Sequence, residues 1–408
     1  MKLLALGGSG NMGRTAVKTI LEMGNVDEII VADSDAVRTN RFVEETKDRR
    51  VRARVIDVTD SEALEGLMRE ADIVMNTIGP YYRFGVPIVQ AAIRVGRQYT
   101  DINDDYSPTE EVLKMDDQAR AAGITALIGM GASPGLTNIL ARHAANQLDT
   151  VDYIQTAWGA TGGILAPRSQ ISSWSQGGRV DAATVHFLNC ASWKIPLFRD
   201  GKFIEVLPLE DGEEVTFPNG KGFFYYIGHA EPVTLPRFIK GLSGACNLFG
   251  SWFGPEGYDV LRSLGARVRA GELTPEEAAS LFAGELYERL MMRPDVPQDT
   301  GPAVGGLHAS AAGKKAGKKV RYGFGLKTFP PGGMAGETGI PLAIATDMLI
   351  RGEIRQKGVL APEACIEPLP FFERFRQYCP GPPRDVGEVL YAVVEEMQDD
   401  ITQQPDAR

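Results

Sequence analysis

Apolar and polar positions follow two interleaved periods over the first 148 residues. Short, almost unbroken apolar runs read as strands buried on both faces. They are KLLALG (2–7), EIIVAD (28–33), RARVIDV (52–58), DIVMNTIG (72–79), QYTDIN (98–103) and ITALIGMG (124–131). Between them, RTAVKTILEM (14–23) and EALEGLMREA (62–71) carry apolar residues at helical spacing. Ser107-Pro108-Thr109-Glu110 reads as a helix start: Ser107 caps, Pro108 suits the first helical position and Glu110 closes a capping box. Six strands alternating with helices predict an α/β fold, a Rossmann-type doubly wound parallel sheet in the order 3-2-1-4-5-6.

After about residue 150 the pattern changes. DYIQTAW (152–158), KFIEVLPL (202–209), GFFYYIG (222–228) and KVRYGFGL (319–326) predict strands joined by hairpins. Residues 306–326 read as one hairpin with four lysines at its tip, a solvated edge that discourages sheet-to-sheet association. Thr274-Pro275-Glu276-Glu277 starts a helix running to about Met292, and TGIPLAIATDMLIRGEI (338–354) puts Leu342, Ala345 and Leu349 on one helical stripe. The expected organisation is a dinucleotide-binding lobe, 1–131 plus 336–408, carrying both chain ends. An α+β lobe with a mixed or antiparallel sheet, 132–335, is inserted into it.

Seven residues at the first turn, GGSGNMG (7–13), decide what the first lobe binds. Gly8-x-Gly10-x-x-Gly13 follows a predicted strand and opens a predicted helix, and the next strand ends in Asp33. That context is the dinucleotide fingerprint: Gly8 allows the tight turn, Gly10 admits the pyrophosphate to the backbone, and Gly13 lets helix and strand pack closely. Phosphate sits at the helix N-terminus, near Ser9, Asn11 and Met12. Asp33, with Ser34 beside it, would take the adenine ribose hydroxyls and so points to NAD; Arg38 and Arg41 could turn inward and make NADP possible. Asp57 and Val58 after the third strand, and Asn76, Thr77, Gly79 and Pro80 after the fourth, complete the expected coenzyme contacts.

Composition narrows the remainder. The chain has 408 residues, 43% hydrophobic, and a net charge of −10, which argues against a nucleic-acid groove. No apolar run approaches the roughly 20 residues of a membrane span. The start has no signal-peptide layout, so a cytoplasmic protein is expected. Cys190, Cys246, Cys365 and Cys379 lie far apart and read as reduced thiols. His143, His186, His229 and His308 show no pair at metal-ligand spacing, so no metal is expected, and no histidine is placed by spacing to activate Cys190.

Four stretches carry a resemblance. VMNTIGPYYRFGVPIVQAAIRVGRQYTDIN (74–103), AAGITALIGMGASPGLTNILA (121–141), YYIGHAEPVTLPR (225–237) and TGIPLAIATDMLIRGEIRQKGVLAPEACIEPLPFF (338–372) resemble the saccharopine dehydrogenase-like family. That family includes lysine 6-dehydrogenases and carboxynorspermidine dehydrogenases. The resemblance covers nearly the whole chain and implies NAD(P)-dependent hydride transfer at a CH–NH or CH–NH2 carbon of an amino-acid or opine-like substrate. It also implies a homodimer joined through the inserted lobe. The alternatives are a carboxynorspermidine-type reductive condensation enzyme and a non-catalytic NAD(P)-sensing protein.

Imine chemistry needs a group that moves protons. His229, at the end of an aromatic strand, is the candidate, with Glu231 to orient it or bind a substrate ammonium; a structural histidine and a surface acid are the plain alternatives. Asp101 and Asp104 could hold the amine, or belong to a capping loop, and Tyr81 and Tyr82 could wall the nicotinamide pocket or pack in the core. Arg168 and Arg179 could clamp a substrate carboxylate.

Overall fold

The structure is a computed structural model that describes residues 1–161, 182–291 and 303–397. The first lobe alternates strand and helix: β1 (Lys2–Leu6), α1 (Asn11–Met23), β2 (Glu28–Asp33), α2 (Ala36–Thr46), β3 (Val51–Val55), α3 (Ser61–Arg69), β4 (Ile73–Asn76), α4 (Tyr81–Val95), β5 (Gln98–Asp101), α5 (Tyr106–Leu113), α6 (Asp116–Ala121), β6 (Thr125–Leu127) and α7 (Leu136–Ala145). The second lobe adds β7 (Thr150–Thr161), β8 (Ile195–Arg199), β9 (Lys202–Val206), β10 (Gly212–Phe217), β11 (Gly220–Tyr226), β12 (Gly244–Gly250), β13 (Val304–Gly305), β14 (His308–Lys315) and β15 (Lys318–Leu326). The chain closes with β16 (Gly358–Leu360) and β17 (Leu390–Glu396).

Seven parallel strands make the first sheet, in the order β16-β6-β5-β4-β1-β2-β3. The six expected strands take the expected order, and β16 adds itself beside β6. Ten strands make the second sheet, along the path β10-β11-β12-β7-β14-β15-β17. It is mixed, because β12 runs parallel to β7 while β14 runs antiparallel to it. The expected hairpin is β14–β15, turning at Ala316-Gly317 between the four lysines.

Three expectations need correction. The capping box at Ser107 does not form; α5 starts at Tyr106 after Asp105, whose carboxylate is committed elsewhere, as the site shows. The helix expected at 338–354 runs Met334–Ile350 and is buried on every side instead of along one stripe. It packs against α1 so closely that a Cβ on Gly339 would lie 2.6 Å from the Met12 carbonyl oxygen. The last described strand does not lie on the nucleotide lobe, because β17 pairs with β15 at the edge of the second sheet. The box at Thr274 does form, with Thr274 N–H donating to Glu277 and Glu277 N–H donating to Thr274 Oγ1.

One hydrophobic core serves both lobes. Met75 and Leu127 of the first sheet, Leu136 and Ile139 of α7, Ile154 and Ala309 of the second sheet and Ile344 of the C-terminal helix are buried in the same cluster. Helix α7 is the shared layer. At its far side Asn138 donates to Glu363 Oε2 at 2.8 Å and Arg142 donates to the Glu363 carbonyl, pinning the helix Pro362–Cys365.

Glu363 is fully buried, and burial pushes its carboxyl up to about 7. The folded state therefore binds its proton more tightly than the unfolded chain does. Its contribution to stability is complete below the ordinary carboxylate range and is lost as pH rises through about 7. Replacing Glu363 by Gln should leave stability unchanged near pH 4 and raise it toward pH 9 by up to about 3 kcal/mol. Urea unfolding at both pH values checks this; equal stability of the two proteins at high pH would contradict it.

Candidate active site

The coenzyme cradle is built from glycine because its backbone leaves no room for side chains. Gly7 lies in the left-handed region at φ +70°, and Gly10 N–H donates to the Gly7 carbonyl at 2.9 Å. A Cβ on Gly13 would lie 2.4 Å from that carbonyl oxygen and 2.7 Å from Gly8 Cα. Gly10 caps α1 without a side chain, so the first-turn N–H groups at Asn11, Met12 and Gly13 face outward toward an anion. These residues fit a pyrophosphate.

At the far end of the cradle Asp33 is buried. It accepts from Ser9 Oγ at 2.7 Å and from the Arg38 guanidinium at 3.0 Å to both oxygens. Arg38 is 44% exposed and can leave this pairing. Ser34, Asp57 and Val58 flank the same edge, with Asp57 accepting from Thr59. Asn76 is fully buried, donating to Tyr99 and accepting from Ile78 N–H, and Thr77 Oγ1 donates to the Leu6 carbonyl. Gly79, followed by Pro80, lets the inserted lobe approach: a Cβ there would lie 3.2 Å from Ala182 Cβ.

The ends of β4, β5 and β6 meet the second lobe at a buried seam of charge. Asp105 accepts from Tyr82 N–H at 2.9 Å, from Asn189 at 3.1 Å and from His186 Nδ1 at 2.9 Å. Asp104 lies 3.3 Å from the same nitrogen. His186 Nε2 faces His229 Nε2 at 3.2 Å and Cys190 Sγ at 3.1 Å. His229 turns Nδ1 to Ser133 at 3.3 Å and to Glu231 Oε2 at 3.5 Å, and its ring stacks on Trp158 with centroids 5.0 Å apart. Glu231 also accepts from Ser133, from Thr137 at 2.8 Å and from Asn247 at 3.0 Å.

Burial pulls His186 down, but Asp104, Cys190 and Asp105 outweigh it and hold the ring well above its ordinary value. Burial also pulls on His229; Cys190 and Glu231 outweigh it and push the ring up to about 9. Two Nε2–H groups cannot face each other at 3.2 Å, so one proton lies between the rings and the pair carries one positive charge. Burial raises Asp104, which His186 only partly offsets, leaving it at about 6. Asp105 and Glu231 are raised by burial, but the histidines pull both below the ordinary range. Three carboxylates thus surround one imidazolium charge.

The fold brings together three of the expected residues, His229, Glu231 and Asp104. It holds two others inside the first lobe. Asp101 accepts from Tyr99 and from the N–H groups of Asn103 and Gly129, while Tyr81 donates to the Asn76 carbonyl. Both are satisfied by the strand ends they brace. Tyr82 reaches across to Glu276 at 2.6 Å. Arg168 and Arg179 lie outside the described residues.

His186, Asp105, Cys190, Ser133, Asn247 and Trp158 join the seam without having been expected there. Contrary to the expectation for Cys190, a histidine does lie beside it, one helical turn away in the helix Ala182–Cys190. That i,i+4 spacing was the available signal.

A glycine turn at a helix start, an acid at the ribose end and a charged seam facing the nicotinamide end define an NAD(P)-dependent oxidoreductase. The family profile described as saccharopine dehydrogenase NADP binding domain matches residues 3–127, and the one described as saccharopine dehydrogenase C-terminal domain matches residues 131–379. The chain belongs to the saccharopine dehydrogenase family, whose chemistry is hydride transfer at a carbon bound to nitrogen. It is 25% identical to the carboxynorspermidine synthase of Vibrio cholerae, over 91% of this chain and 94% of that one. It is 28% identical to the glutamate-forming, NADP-linked saccharopine dehydrogenase of Saccharomyces cerevisiae, over 43% of this chain and 37% of that one.

Two solved structures share the fold. Apo saccharopine dehydrogenase (L-Glu forming) from Saccharomyces cerevisiae matches with a TM-score of 0.61 at 16% identity, covering 97% of this chain and 99% of that one. The homospermidine synthase of Legionella pneumophila in complex with NAD matches with a TM-score of 0.60 at 13% identity, covering 96% and 91%.

Replacing Gly13 by Ala should weaken NAD(P)H binding at least about tenfold, because the new methyl meets backbone that cannot yield without opening the turn. Fluorescence titration of the reduced coenzyme measures this; an unchanged Kd would contradict the cradle.

Proposed function

We propose that the chain moves a hydride between NAD(P) and the amine-bearing carbon of a small amino-acid-like substrate, with His229 as the proton-transfer residue. The observation that carries this reading is the seam, where three carboxylates surround the histidine pair with negative charge in excess, which a cation of ammonium type would balance. Bound nicotinamide supplies the hydride exchange that interconverts a C–N single bond and an imine. The protein's own groups supply the rest.

Ser133 and Glu231 hold His229 by Nδ1, and Trp158 fixes the ring plane. Nε2, which shares a proton with His186 Nε2, passes that proton to the reacting nitrogen or its water and takes it back. Asp104, at 28% the most exposed of the three acids, accepts from the substrate ammonium. Asp105 positions His186, and Asp101 and Tyr81 position the loop that bears both aspartates. NAD is the expected coenzyme, with Asp33 on the ribose hydroxyls; Arg38, released from Asp33, gives NADP a phosphate partner.

The near full-length match to carboxynorspermidine synthase favours a second reading, reductive joining of a diamine and an aldehyde at the same acidic seam. A cytoplasmic homodimer is part of the proposal. It is supported by four free cysteines and by the exposed Phe203, Phe223 and Val394 on strands of the second sheet.

The test follows nicotinamide absorbance with lysine, saccharopine and related amines in one direction, and with diamines plus an aldehyde in the other. His229→Asn should lower kcat by about 10²–10⁴-fold while the coenzyme Kd stays within about twofold. Unimpaired turnover by the variant would remove His229 from the reaction. Turnover of alcohols but of no amine by the parent protein would overturn the reading itself.

A further inference from the structure

Two imidazoles and a thiol converge at the centre of the seam. His186 and Cys190 stand one turn apart on the helix Ala182–Cys190, so both side chains leave it on the same side. Gly228 N–H donates to the Cys190 carbonyl at 3.2 Å and thereby ties the loop bearing His229 to the end of that helix. The two Nε2 atoms are 3.2 Å apart, Cys190 Sγ is 3.1 Å from the nearer one, and all three ligand atoms lie within 4.8 Å of one another. A tetrahedral zinc with bonds of roughly 2.0–2.3 Å has ligand-to-ligand edges of about 3.3–3.6 Å, close to the separations of 3.2 and 3.1 Å at His186 Nε2.

The groups behind the ligands point the same way. His186 Nδ1 is held by Asp105 at 2.9 Å with Asp104 at 3.3 Å, and His229 Nδ1 lies 3.5 Å from Glu231. A carboxylate on Nδ1 fixes the tautomer in which the Nε2 lone pair is free to ligate. Histidines bound to metals are held in this way. His186 is so held by Asp105, and His229 Nδ1 meets Ser133 Oγ at 3.3 Å with Glu231 behind it, so each ring leaves Nε2 beside the other.

We propose that His186, Cys190 and His229 form a three-ligand site for a divalent transition metal of the zinc or cobalt(II) class. Two nitrogens and one sulfur suit a borderline-soft ion, and three protein ligands leave a fourth position for water or a substrate nitrogen. Binding sends the thiol proton and the proton between the rings to solvent. The inference adds to the proposed function and in one respect rests on it. If His229 Nε2 carries the proton of the reaction, metal occupancy and amine turnover exclude each other.

The test titrates metal-free full-length protein with cobalt(II). One equivalent should produce the intense visible bands of tetrahedral cobalt and a near-ultraviolet thiolate-to-cobalt band. Cys190→Ser keeps the helix and the ring contacts, and it should lose the thiolate band and bind at least tenfold more weakly. His186→Gln, checked for folding by its melting temperature and coenzyme binding, should lose stoichiometric binding. Absence of a thiolate band in the parent protein, or a Cys190→Ser spectrum identical to it, overturns the site. One equivalent of zinc should abolish amine turnover and a chelator should restore it; full turnover of zinc-loaded protein overturns the exclusion. The cobalt spectrum reads the site whether or not any amine is turned over, so failure of the proposed function is seen separately.

Discussion

The structure depends on satisfying charge buried between its two lobes. Asp105 comes from the end of β5 and His186 from the inserted helix, and the two meet at 2.9 Å with almost no solvent. Glu231 takes two of its hydrogen bonds from Ser133 and Thr137, at the start of the shared helix α7. Removing one member of such a pair leaves an uncompensated charge and costs about 3–5 kcal/mol. The lobes are therefore held in one relative register, the register that sets His229 against the strand ends. Apolar burial through α7 brings the sheets together; the ionic seam fixes where they stop.

The same constraint joins binding to chemistry. A doubly wound sheet receives its coenzyme along the carboxyl ends of its strands, with the phosphates at the first helix and the nicotinamide toward the fourth to sixth strands. Those are the strand ends that carry Gly79, Asp104, Asp105 and Ser133. The inserted lobe contributes what the nucleotide lobe lacks, two histidines and an aromatic wall. Its mixed sheet gives rigidity, because Trp158 and Asn247 stand on the neighbouring strands β7 and β12 and bond to each other at 2.9 Å. Excess negative charge at the seam favours a cationic substrate and agrees with a family that acts where nitrogen meets carbon.

What the sequence made legible was local. Apolar runs, glycine spacing and acid position gave the first sheet and its order, and the hairpin at 306–326 followed from two strands and a turn. His229, Glu231 and Asp104 could be named because each stands at the end of an element. Their partners could not, because Asp105 and His186 are 81 positions apart and His186 and His229 are 43 apart, so no spacing rule connects them. Ser107 failed as a cap for a related reason: the acid before the helix is drawn to a distant histidine, and α5 begins there without a side-chain cap. Asp101 and Tyr81 have the right chemistry for a site, yet backbone N–H and C=O groups at the strand ends claim their polar atoms. Such a claim shows only in three dimensions. The C-terminal strand was not among the expected strands, and it finds its place where β15 offers an open edge.

Hydride passage between the coenzyme and a carbon bonded to nitrogen at this seam is the step on which the proposed function turns. Its most direct measurement is isotope transfer: reduced coenzyme carrying deuterium at both C4 positions of the nicotinamide, an amine and a carbonyl partner, and mass spectrometry of the product. One deuterium on the carbon attached to nitrogen is the expected result. Deuterium on an alcohol carbon, or amine product free of label, would contradict it.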